Sequence, residues 1–147
     1  MLYGQYAVLL NKEKTLKLPK RFSNELEENL FITRGFDQNL VIMSEEAFTE
    51  LYSRLTSNIT ITDPLARLLM RFFLGDAIAL PAKASLEINL SDSLCRYAKL
   101  EAETAAILVG QGDHFELWAQ PCWDEQDIII NDAQKNADRF ASLNYSI

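Results

Sequence analysis

The sequence predicts an α+β fold in which one supersecondary unit occurs twice. Three observations predict it. Thr15-Leu16-Lys17-Leu18 is matched 70 residues further on by Ser85-Leu86-Glu87-Ile88. An apolar run beginning at Leu30 reaches Gly35, crosses a polar turn and resumes at Leu40; a second begins at Ala105, 75 residues on, reaches Gly110, crosses Gln111 to Asp113 and resumes at Phe115. Between the copies lies one amphipathic segment with helix punctuation at both ends. A duplicated unit of this size packs copy against copy to bury a shared core, and whatever surface the first copy presents, the second presents again. The resulting division is a first copy over residues 1–56, a connecting helix within 57–75, a second copy with a C-terminal helix over 76–141, and a tail from 142 to 147.

The elements follow in order. Residues 3–10 carry aromatic and branched side chains at Tyr3, Tyr6, Val8 and Leu10 and read as a strand. Asn11-Lys12-Glu13-Lys14 is a polar connection of hairpin length, after which Leu16 and Leu18 alternate with lysines in a second strand. Pro19 ends that strand, having no N–H to donate to a ladder. Phe22, Leu26 and Leu30 recur at four-residue spacing, so residues 20–28 read as a short helix. A hairpin of 30–34 and 39–43 comes next. Ser44, followed by Glu45 and Glu46, reads as an N-cap with acids in the first turn, where the helix dipole favours them. That helix runs to about Leu55.

Asp63 and Pro64 open the strongest helix of the chain. Leu65, Leu68, Leu69, Phe72 and Phe73 form its wide apolar face, and Gly75 closes it. The second copy then reads as a strand at 76–80, a turn at 81–84, a strand at 85–90 and a short helix at 91–98. Hairpin strands near 104–109 and 114–118 lead into a helix from about Pro121 into the 130s. The last residues, 142–147, read as frayed.

Composition narrows the function. At 147 residues, 48% apolar and 24% charged, the chain suits one compact domain or two half-size copies sharing a core. No apolar stretch approaches the ~18 residues of a membrane-spanning helix, and Met1 to Tyr6 lacks the basic region and cleavage site of a signal peptide. Cys95 and Cys122 have neither CxxC spacing nor a nearby His, and read as reduced, semi-buried thiols. His114 is the single histidine and no nucleophile motif accompanies it; there is no phosphate-binding glycine loop and no metal-ligand spacing. No catalytic residue, metal or cofactor is expected. Trp118 and Trp123 read as core. Asp124, Glu125, Asp127 and Asp132 suit the start and the solvent face of the last helix.

Charge is the informative quantity. The net charge is −7, yet residues 1–22 hold Lys12, Lys14, Lys17, Lys20 and Arg21 against Glu13 alone, a local +4 that leaves −11 for the remainder. A basic cluster of this kind suits phosphate contacts. Lysines at alternating positions are equally the solvated face of a hairpin and a guard against edge pairing.

Taken in order, these residues resemble a known family: Leu2, Gly4 and Tyr6 before a strand, Leu16-Lys17-Leu18-Pro19 after a turn, Thr33-Arg34-Gly35-Phe36-Asp37, Asp63 and Arg67 ahead of Arg71-Phe72-Phe73-Leu74-Gly75, and Leu108-Val109-Gly110 through Glu116-Leu117-Trp118. The family is MraZ, bacterial proteins of the AbrB/MazE swapped-hairpin superfamily. The resemblance implies two tandem swapped-hairpin modules packed as a double-split β-barrel with flanking helices. It also implies a homo-oligomeric ring, and a cytoplasmic, nucleoid-associated transcriptional regulator that binds promoter DNA repeats through an Asp-x-x-x-Arg turn in each copy.

The chain departs from the family at that turn. The Asp and Arg positions are Asn11 and Thr15 in the first copy, and Pro81 and Ser85 in the second. The glycine before the arginine is Lys14 and then Ala84, and the counterpart of Pro19 is Asn89. Both arginines, the side chains suited to forked phosphate or guanine recognition, are gone. The DNA-contact candidates that remain are Lys12, Lys14, Lys17, Lys20, Arg21 and, in the second copy, Lys83. Arg34, Arg67 and Arg71 read as structural, with Arg67 and Arg71 one helical turn apart and within reach of Asp63 or a neighbouring subunit. The favoured function is DNA binding by many lysine contacts on a ring. The alternative is a relative that keeps the fold and the oligomer but serves as a protein-interaction module.

Overall fold

The computed structural model describes residues 1–22, 29–81 and 86–143. It is a mixed α+β protein with eight strands and five α-helices among the described residues. In chain order these are β1 (Gln5–Leu9), β2 (Thr15–Lys17), β3 (Leu30–Arg34), β4 (Leu40–Ser44), α1 (Glu45–Thr56), α2 (Pro64–Leu74), β5 (Ile78–Leu80), β6 (Glu87–Asn89), α3 (Asp92–Tyr97), β7 (Ala105–Gly110), β8 (His114–Ala119), α4 (Gln120–Ile130) and α5 (Ala133–Phe140). Lys20–Phe22 forms a single 3-10 turn. The helix starts are built as their sequences dictate. The Ser44, Asp63 and Ser91 side chains accept from the backbone N–H groups of Ala47, Leu65 and Leu94, satisfying donors that would otherwise have no intrahelical partner.

Six strands form one antiparallel sheet in the order β1-β7-β8-β4-β3-β5, and β2 pairs with β6 in a separate two-stranded sheet. Strands from the two halves of the chain therefore share both sheets. At the centre β4 lies on β8, with Leu40 opposite Leu117 and Ile42 opposite Phe115. On one flank β1 pairs with β7, and on the other β5 pairs with β3. In the small sheet Leu16 faces Ile88. The start of the chain is pinned further by a bridge between Leu2 and Gly112. Gly110 has to be glycine there, because a Cβ would lie 2.4 Å from the Tyr3 backbone that crosses it.

Strand alternation divides the large sheet into two faces. Ile32, Leu40, Ile42, Leu108, Phe115 and Leu117 point to one face and are packed with Leu16, Ile88 and Leu94 into the main core. Phe22 is completely buried there and meets Tyr6 and Phe115 edge to face, at centroid distances of 5.2 and 4.6 Å. The other face carries α1, α2 and α4. Phe31, Phe48 and Phe73 stack in series, the Thr33 hydroxyl donates to the Phe73 carbonyl, and Trp118 meets Trp123 at 5.7 Å.

The structure departs from the sequence expectations at five places. Residues 11–14 do not join two neighbouring strands of one sheet: β1 is claimed by β7 and β2 by β6, so the arms of the turn diverge. The strand expected at 76–80 begins only at Ile78, because Asp76 leaves the ladder to pair with Arg34. Arg67 does not pair with Asp63, whose carboxylate is used in capping; it donates instead to the carbonyls of Ile61 and Thr62. The apolar face of α2 is only partly covered. Ala66 and Phe73 are buried while Leu65 and Leu68 face solvent, since the apolar arc is wider than the strand beneath it. Finally, the last helix is broken. Asn131 closes α4, Asp132 caps α5 by accepting from the Lys135 N–H, and the buried Asn136 amide donates to the carbonyls of Ile129 and Ile130. Of the helix expected at 20–28, residues 23–28 lie outside the described residues, as do Lys83, Ser85 and the last four residues of the tail.

No described helix is long and apolar enough to cross a membrane. Both cysteines are free, Cys95 buried in the main core and Cys122 half-buried. Burial pushes the Cys95 thiol up, which suppresses the reactive thiolate. Ellman's reagent is therefore expected to modify Cys122 alone in the native protein and both thiols in denaturant. Rapid native modification of Cys95 would show that α3 opens readily.

Candidate nucleic-acid interface

The turn from Asn11 to Thr15 is closed by its own side chains. The Asn11 side-chain carbonyl oxygen accepts from the N–H groups of Glu13 and Thr15 at 3.0 and 2.9 Å, and the Asn11 N–H donates to the Thr15 carbonyl. Asparagine thus performs the turn-capping that aspartate would. Lys14 adopts a left-handed backbone, φ 58°. A side chain at such a position costs roughly 1–2 kcal/mol, which fits the glycine that the resemblance implies there. Two further departures meet each other: the Asn89 amide donates to the Thr15 hydroxyl at 2.9 Å and to the Glu13 carbonyl at 3.0 Å. The replacements at the arginine position of one copy and the proline position of the other are therefore a bonded pair across the small sheet.

The candidate cations are dispersed rather than gathered. Lys14 is 2.8 Å from the carboxylate of Asp92 on the first turn of α3. Their hydrogen bond raises the Lys14 ammonium above its ordinary value and lowers the Asp92 carboxyl. Lys17 and Glu87, opposite each other in the β2–β6 ladder, pair at 3.0 Å. Arg21 lies over the rings of Tyr3, Tyr6 and Phe22, 4.8 to 5.3 Å from their centroids. Lys12 and Lys20 are exposed, and neither is in an ion pair with a described residue. Lys83 and Ser85 fall outside the described residues, whereas Pro81 is exposed just past β5. Between β1 and β2 runs a groove lined by Ala7, Leu9, Asn11, Thr15, Lys17 and Glu87. As a phosphate-binding surface it offers one point charge, Lys17, without a guanidinium fork and beside the Glu87 carboxylate that pairs with it.

Sequence reasoning missed Asp92. After Ser91 it reads only as a first-turn acid, and no local pattern links it to a lysine 78 residues away. Arg34 is structural as expected. It pairs with Asp76, which also accepts from Ser93 at 2.6 Å, and its guanidinium lies against Phe72 and Tyr97. This joint ties β3 to α2 and α3. His114 is the first residue of β8, with Nδ1 2.6 Å from Asp113, and that hydrogen bond lowers the Asp113 carboxyl.

These features define a class: small α+β proteins whose two sheets are each shared by strands from the two halves of the chain, with a charged turn between the strands of different sheets. No profile of a known protein family matches the chain. It is 31% identical over 125 residues to the transcriptional regulator MraZ of Dictyoglomus thermophilum, covering 85% of this chain and 84% of that one. It is 33% identical over 125 residues to that of Clavibacter michiganensis, covering 85% of each. The MraZ of Caldanaerobacter subterraneus is 26% identical over 144 residues, 95% of this chain and 99% of that protein. The chain belongs to the MraZ family.

Proposed function

We propose that the protein is a cytoplasmic, nucleoid-associated transcriptional regulator that binds repeated promoter sites as a homo-oligomeric ring. The observation that carries this reading is similarity over most of their length to proteins named transcriptional regulators. The closed Asn11–Thr15 turn, with Lys12 exposed on it, supports it. Residues 1–56 and 76–141 are taken as the two copies, interlocked through the β4–β8 and β2–β6 pairings as a double-split barrel. Lys12, Lys14, Lys17, Lys20, Arg21 and Lys83 supply the phosphate contacts. One subunit contributes roughly three to five of them, too few for useful affinity at physiological salt, so binding depends on several subunits engaging spaced repeats together.

The test is fluorescence anisotropy against the DNA upstream of the protein's own gene and against a scrambled duplex, over a salt series. Sequence-selective binding is expected, its logarithm falling with log salt by several units. Lys12→Ala with Lys14→Ala is expected to abolish it and leave the oligomer mass unchanged; unaltered binding would remove the turn from the interface. A second reading, an oligomeric protein-interaction module without DNA binding, is favoured by the ion pairs that occupy Lys14 and Lys17. It predicts no binding to either duplex even at low salt.

A further inference from the structure

We propose that the cleft between α1 and α2 is a binding site for a small amphipathic anion, a carboxylate or phosphate monoester carried on a short apolar body. The cleft holds about 410 Å³, within the range of small-molecule sites. Two helices and the connection between them build it. Tyr52 and Thr56, one turn apart on α1, line one wall, and Arg67, Met70 and Arg71 of α2 line the other. Ile59 and Ile61 of the connection complete the lining. The site calls on none of the residues assigned to DNA contact and on no neighbouring subunit.

Charge selects the head group. The lining holds two guanidinium groups and no carboxylate, in a chain whose net charge is −7. The acids nearest to them in sequence are already engaged: Asp63 caps α2 and Asp76 pairs with Arg34. Neither arginine is in an ion pair with a described residue. Arg67 is held in place, because its Nη1 group donates to the carbonyls of Ile61 and Thr62 at 3.0 and 2.9 Å. Its other donors and the whole Arg71 guanidinium make no hydrogen bond among the described residues. A guanidinium fork binds a carboxylate or a phosphate through two parallel hydrogen bonds. Two like charges one helical turn apart repel each other, and an anion between them relieves that repulsion.

The remaining lining selects the body. Ile59, Ile61 and Met70 offer apolar surface, and Ile61 is 84% exposed. An apolar chain laid against it removes that surface from water. The Thr56 hydroxyl donates to the Tyr52 carbonyl of its own helix at 2.8 Å, so it asks for no acceptor on the ligand. Tyr52 adds an aromatic wall, its phenol without a hydrogen-bond partner among the described residues. Guanidinium groups and apolar side chains in one cleft discriminate against a bare anion, which leaves the apolar part wet, and against a neutral hydrocarbon, which leaves the forks unused.

The experiment is isothermal titration calorimetry of the full chain with sodium octanoate and with octyl phosphate, using octanol, acetate and inorganic phosphate as the half-ligands. One octyl anion per chain is expected to bind, with a dissociation constant of roughly 0.1–1 mM, and the tighter of the two identifies the head group. Each half-ligand is expected to bind at least tenfold more weakly. Arg71→Met removes the charge and keeps an apolar stem, so it should weaken octanoate at least tenfold and leave octanol unchanged. Ile61→Ser should weaken octanoate and octanol alike. Both side chains are exposed, and circular dichroism of the two variants is expected to match the parent. If Arg71→Met loses its secondary structure, Ile61→Ser alone decides. No saturable binding of either octyl anion in the millimolar range would overturn the proposal, and this is also the result if an adjoining copy of the chain fills the cleft. Equal affinity for octanoate and octanol, or octanoate binding unmoved by the deciding variant, would overturn it as well. Failure of the parent to bind DNA would count against the regulator reading and leave this site standing.

Discussion

Replacing Phe22 with alanine is expected to destabilise the protein by about 3–5 kcal/mol, the usual range for truncating a fully buried phenylalanine. Phe22 has no exposed surface and stands edge to face with Tyr6 of β1 and Phe115 of β8. Its loss thus removes burial and two aromatic pairs, each worth about 0.5–1.5 kcal/mol beyond the area they cover. It also leaves a cavity at the place where the 3-10 turn is held against the large sheet. Arg21, stacked over the same ring, would lose part of its support. Against a total stability of ~5–15 kcal/mol, this variant should stand near the limit of folding. Urea denaturation measures the loss, with Phe22→Leu as the control that refills most of the volume. A loss below ~1 kcal/mol would mean that the 3-10 turn does not anchor the fold.

The second large effect concerns DNA. Glu87→Gln with Asp92→Asn is expected to raise affinity for duplex DNA about tenfold or more at low salt. It should also steepen the salt dependence, by up to ~0.9 in slope for each further lysine that reaches a phosphate. Both carboxylates are within 3.0 Å of a lysine ammonium. As solvent-exposed pairs they contribute little to stability, so the fold should survive the change. Next to phosphates their role reverses: each occupies a cation and adds a repelling charge. Anisotropy titrations of the double variant and the parent, run side by side at two salt concentrations, give the comparison. Equal affinities and equal slopes would show that Lys14 and Lys17 do not reach DNA.

Locally encoded features were legible in advance. The Ser44 and Asp63 caps depend on a few consecutive residues, and each helix starts where its cap predicts. The 30–44 and 105–119 hairpins follow the same logic, because turn residues and two-residue alternation lie within one short window. The basic cluster was legible as a composition but not as an arrangement. Nothing near Lys14 indicates Asp92, and nothing near Thr15 indicates that Asn89 will bond to its hydroxyl.

By itself, then, the sequence determined most of the elements, the Ser44 and Asp63 caps and the family to which the chain belongs. These are written in contiguous periodicity, in punctuation and in an ordered set of short motifs. Only the tertiary structure decided that β1 pairs with β7 and β2 with β6, that Lys14 and Lys17 are held by carboxylates 70 or more residues further on, and that Leu65 and Leu68 of the α2 apolar face are left uncovered. The physical reason is the same in each case. Periodicity states that a side chain is apolar or charged and which way it faces on its own element. The surface that element finds opposite is set by where distant strands close the sheet.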